Sequence, residues 1–67
     1  MSTQPYVQIQ DKHGAVASIF ISPDNKHEVR YCDDKGNQFY TEIFQEVPIE
    51  LIEPSVMDWA LGKRNLL

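Results

Sequence analysis

The chain has 67 residues, 42% of them apolar and 24% charged, with a formal net charge of −4. That is the composition of one small globular domain, and a chain of this size buries only about 60% of its unfolded surface, so its stability is marginal. With no apolar run long enough to span a membrane, no basic-then-apolar leader and a single cysteine, Cys32, the expectation is a cytoplasmic protein.

In chain order, residues 1–5 read as a flexible tail and 6–67 as one small β domain. Three turn clusters follow at equal spacing: Asp11-Lys12-His13-Gly14, Ser22-Pro23-Asp24-Asn25 and Asp33-Asp34-Lys35-Gly36. Each begins with Asp or Ser and ends with Gly or Asn, the signature of a type I turn closed by a left-handed residue. The spacing predicts four antiparallel strands in a meander. Turn geometry also fixes register. It pairs Val7 with Ile19, Ile19 with Val29 and, across the third turn, Tyr31 with Phe39 and Val29 with Thr41.

In that register Val7, Ile9, Ala15, Ala17, Ile19, Ile21, Val29, Tyr31, Phe39 and Ile43, all odd-numbered, form one uncharged core face. The even face is mixed. It carries Gln8, Ser18, Glu28 and Arg30, but also Tyr6, Val16, Phe20, Cys32, Tyr40 and Phe44, more apolar surface than a wet face needs. The same register sets Glu28 opposite Glu42, a like-charge pair that costs stability.

Beyond Phe44, Pro48 interrupts the ladder, and Ile49–Ile52 reads as a short fifth strand at an edge. Ser55 with Asp58 has the form of a capping box, so a short helix is expected at about 55–62, with Gly62 closing it and Trp59 as its anchor.

The stretch HEVRYCDDKGNQFYTEIF followed by VPIELIEP resembles the small SH3-like and Tudor-like β-barrels of bacterial and phage proteins. The resemblance implies a barrel of about 40 residues that binds peptides, protein tails or nucleic acid. A Tudor-type aromatic cage is disfavoured because Tyr31 and Phe39 fall on the expected core face. The alternative is an open α+β sheet with the helix packed on its odd face.

Chemistry is sparse. His13, His27 and Cys32 are not brought together by the register, so no metal site is expected. Cys32 has Val16 and Gln38 as cross-strand neighbours, neither of them a base. The three glycines are isolated, which excludes a phosphate-binding loop. No catalytic residue and no cofactor are therefore expected. The expected function is a non-catalytic protein-interaction module or small acidic adaptor, with Tyr6, Phe20, Arg30, Tyr40 and Phe44 as its contact residues. Residues 33–58 hold seven carboxylates against Lys35 alone, which favours a basic protein partner and disfavours nucleic acid. Two further readings are a homodimer through the even face, and single-stranded nucleic-acid binding. The latter would stack bases on Tyr6, Phe20 and Tyr40 and bind phosphates through Arg30, Lys63 and Arg64.

Overall fold

Three turns of one chemistry organise the sheet. In the computed structural model, which describes residues 4–66, each turn is closed by a residue with positive φ: Gly14 (93°), Asn25 (63°) and Gly36 (88°). The amides of Gly14, Asn25 and Gly36 donate to the carbonyls of Asp11, Ser22 and Asp33. The Asp33 carboxylate accepts from the amides of Asn37 at 2.8 Å and Lys35 at 3.0 Å, and the Asn37 amide foremost holds its pKa below the usual range. Of the expected tail, only Gln4 and Pro5 lie within the described residues.

The turns link β1 (Val7–Gln10), β2 (Val16–Phe20), β3 (Lys26–Cys32) and β4 (Gln38–Gln45) in one open antiparallel sheet of order β1-β2-β3-β4. The first two registers are those the turns dictate, with Val7 opposite Ile19 and Ile19 opposite Val29. The third differs. Cys32 faces Gln38, but Tyr31 faces Tyr40, so Phe39 is an extra residue. From there β4 runs one residue out of the expected alignment, with Arg30 opposite Thr41 and Glu28 opposite Ile43. A one-residue slip exchanges faces. Tyr40, Glu42 and Phe44 therefore join the face of Val29 and Tyr31, while Thr41 and Ile43 turn to the other side.

The chain leaves the sheet at Glu46, a second non-glycine residue with positive φ (58°), whose amide donates to the Asn25 carbonyl at 2.9 Å. The expected fifth strand is not formed: Ile49–Ala60 is a single helix, α1. Its apolar residues recur at three and four, giving a stripe of Ile49, Ile52, Val56, Trp59 and Ala60. Pro48 is the N-cap rather than a strand breaker. Pro54 lies inside the helix and removes the one amide that would reach the Glu50 carbonyl. Both residues are on the exposed side, where the freed carbonyl faces water. Ser55, read as a cap, is mid-helix. The C-terminal end follows expectation: Gly62 has φ 80°, its amide donates to the Trp59 carbonyl, and the Lys63 amide reaches back to Asp58 at 2.8 Å.

The helix covers one face of the sheet, so the architecture is the open alternative and not a closed barrel. Ala17, Ile19, Val29 and Tyr31 from the sheet meet Ile52 and Val56, all fully buried. Val7, Ile9, Tyr40, Phe44 and Leu66 pack around them. His27, expected at a solvated turn end, is buried on this side and accepts the Ser22 amide through Nδ1 at 3.3 Å.

Two substitutions check this account in urea unfolding. Ile19→Ala should cost about 2–5 kcal/mol, since it empties a fully buried site. Gly36→Val should cost about 1–3 kcal/mol. An added Cβ there meets no neighbour, so the cost is the strain of positive φ alone, and Gly36→Asn should recover most of it.

Candidate functional site

The five residues expected to form one contact surface are divided between two faces. Tyr6 is exposed just before β1. Phe20 and Arg30 stay on the uncovered sheet face, where the guanidinium sits 4.5 Å above the ring centre. Arg30 also donates to Glu28 at 2.6 Å, and this hydrogen bond raises its pKa. Tyr40 and Phe44 lie on the helix side and pack against the core, because the extra residue at Phe39 turned β4 over.

The uncovered face is a grid set by the registers. One row is Gln8, Ser18, Arg30 and Thr41; the next is Phe20, Glu28 and Ile43; the third is Gln10, Val16, Cys32 and Gln38. Gln8 donates to Ser18 at 3.0 Å, and Gln38 donates to Thr41. Glu28 and Arg30 are the only charged pair in the grid. Ile43, at 50% exposure, stands at its β4 edge.

The opposite side holds a polar cluster that the expected register concealed. Tyr31 is fully buried, with the edge of Trp59 against it at a ring separation of 4.9 Å. The Tyr31 hydroxyl donates to Glu42 Oε1 at 3.0 Å and accepts from Arg64 Nη2 at 2.9 Å. Arg64 also grips both oxygens of Glu42, at 3.1 and 3.0 Å, and its Nε donates to the Ser55 carbonyl at 3.1 Å. This is a two-pronged arginine–carboxylate pair, the strongest geometry available to such groups. The bond to Glu42 raises the Arg64 pKa. Burial, then the charge of Glu42, pushes the Tyr31 phenol well above its ordinary value. Among the described residues no buried side-chain nitrogen or oxygen lacks a partner, so the cluster is closed on itself. It ties strand, helix and C-terminal segment together.

The pairing of Glu42 with Arg64 is not visible in the sequence, because 22 positions separate them. One signal was present: the like-charge opposition of Glu28 and Glu42 argued against the register that produced it. In the structure Glu28 faces Ile43 and pairs with Arg30, and the conflict vanishes.

The helix also borders a groove at the other edge of the sheet, a concavity of about 750 Å³ lined by β1 and by Glu50, Glu53, Pro54 and Met57. Among the described residues no group of three or more His, Cys, Asp or Glu is placed to hold a metal ion, and no helix is long and apolar enough to cross a membrane. No family model, curated protein or solved structure matches the chain.

The Tyr31 cluster predicts a pH dependence. The folded state holds the phenolic proton more tightly than the unfolded state, whose tyrosine titrates near about 10. Above that pH the unfolded chain binds fewer protons than the folded one, so stability falls as pH rises. Unfolding midpoints should drop steeply above about pH 10, and Tyr31→Phe should flatten that fall. An unchanged slope in the variant would assign the alkaline loss to another group.

Proposed function

We propose that the protein is a small, non-catalytic interaction module of the cytoplasm that binds another protein through the uncovered sheet face and its open edges. One observation carries the reading: the helix is spent on one face, and among the described residues nothing covers the other, where Phe20, Val16, Cys32 and Ile43 are interspersed with neutral polar groups and the Glu28–Arg30 pair. Unpaired edges and apolar residues on an open face are the usual materials of protein contacts. The contact set accordingly keeps Tyr6, Phe20 and Arg30, adds Ile43 and gives up Tyr40 and Phe44.

Two features weigh against nucleic acid. The chain is acidic, and both arginines that a phosphate-binding reading requires are already engaged, Arg30 by Glu28 and Arg64 by Glu42.

The test uses the protein as bait. Ile43→Lys should change stability by no more than the roughly 0.5 kcal/mol typical of exposed positions. It should reduce retention of the partner held by the wild-type protein about tenfold, as expected for a contact residue. A partner retained equally by both baits would remove the uncovered face from the account. A labelled single-stranded oligonucleotide should show no binding at low salt.

A further inference from the structure

We infer that the groove between the open edge of β1 and helix α1 receives an extended basic peptide, which adds to the sheet as a fifth strand beside β1. The inference rests on the interaction-module reading and assigns one of its open edges, β1, an occupant of its own, apart from the surface around Ile43.

The backbone supplies the first part. The Asp11 amide donates to the Ala15 carbonyl, so residues 11 and 15 form a hydrogen-bonded pair. Antiparallel ladders alternate, which makes Ile9–Ala17 and Val7–Ile19 bonded pairs and leaves the N–H and C=O groups of Gln8 and Gln10 pointing away from β2. These groups face the groove. An extended segment lying there would take them as a neighbouring strand does.

The walls supply the second part. Val7 and Ile9 present their side chains to the helix side of the sheet, and Pro54 and the exposed Met57 complete an apolar lining. Glu50 and Glu53 stand on the helix rim of the same groove, and neither forms an ion pair among the described residues. A lysine or arginine fits both features at once, with its aliphatic stem on the apolar lining and its charged head at the carboxylates. Strand geometry sends every second peptide residue toward the helix. The sequence preference is therefore a basic residue at alternate positions.

Charge also selects among occupants. A second copy of this chain could offer only β4 or β1 as a free edge. The strand β4 carries Glu42 and no cation, and β1 carries no charge at all. Neither complements Glu50 and Glu53. The β4 edge is also a poorer receptor for a basic peptide, since the smaller concavity of about 410 Å³ beside it is lined by Phe39, Trp59 and the segment through Leu66, with Arg64 among them and no carboxylate.

The probe is a capped eight-residue peptide alternating lysine and threonine, compared with one in which glutamate replaces lysine. Amide-resolved titration of the full chain should show the lysine peptide binding at least about tenfold more tightly than its counterpart, with added salt weakening it. In the complex, the Gln8 and Gln10 amides should exchange more slowly with solvent. The double variant Glu50→Gln, Glu53→Gln should abolish most of the preference for lysine. The proposal is overturned by absence of binding at about 1 mM peptide, a Kd limit corresponding to about −4 kcal/mol. It is equally overturned by perturbations confined to β4, or by a lysine preference that survives in the double variant. Protection of Gln8 and Gln10 that grows with protein concentration in the absence of peptide would give the edge to a second copy instead. If the peptide fails while partner capture still depends on Ile43, only the groove is lost; if both fail, the interaction-module reading goes too.

Discussion

The extra residue in β4 is the constraint on which the helix side of the molecule depends. With Phe39 and Tyr40 both set against Tyr31, the strand is turned over, and Glu42 comes to lie on the same face as Val29 and Tyr31. Only from that face can it meet Arg64. The arginine arrives because Gly62 reverses the chain after α1, so the helix cap and the strand bulge together determine whether the ion pair exists. Leaving Glu42 or Arg64 without the other would strand a partly buried charge, and that cost restrains both elements.

The consequence is a division of labour between the two faces. On the helix side, an apolar core is backed by a polar cluster in which each side-chain group has a partner. A domain of 67 residues has little core to spare, and an arginine that secures strand, helix and C-terminal segment ties down ends that would otherwise fray. The other face holds one ion pair, a few neutral hydrogen bonds and scattered apolar groups, and its strand edges stay open. Such surfaces bind extended chains readily, because main-chain groups supply affinity and side-chain alternation supplies selectivity.

The turns, the pairing of β1 with β2 and β2 with β3, and the core positions of Ala17, Ile19, Val29 and Tyr31 were all legible, because turn chemistry and period-two alternation act locally. The bulge was not. Phe39 and Tyr40 are adjacent aromatics, and nothing in their identity says that both will face the helix. The start of α1 is hidden for a different reason. Pro48 and Pro54 look like barriers and make Ile49–Ile52 read as a strand, although Ile49, Ile52, Val56 and Trp59 carry the helical spacing. Proline is compatible with a helix start, and one mid-helix proline is tolerated when its missing bond faces solvent. The bulge alone puts Tyr40 and Phe44 on the helix side and brings Glu42 to the face that Arg64 reaches, while Phe20 and Arg30, before it, keep the uncovered side that the turns dictate.

The alignment of β4 against β3 can be measured directly. Non-hydrogen-bonded antiparallel pairs bring their Hα atoms closest, and the Glu46–Asn25 bond fixes which pairs those are. Nuclear Overhauser effects should therefore connect the Hα of Arg30 with that of Thr41, and the Hα of Glu28 with that of Ile43. Strong Hα contacts of Arg30 with Tyr40 and of Glu28 with Glu42 would contradict the account. They would restore the unbulged register, return Tyr40 and Phe44 to the open face and dissolve the cluster around Tyr31.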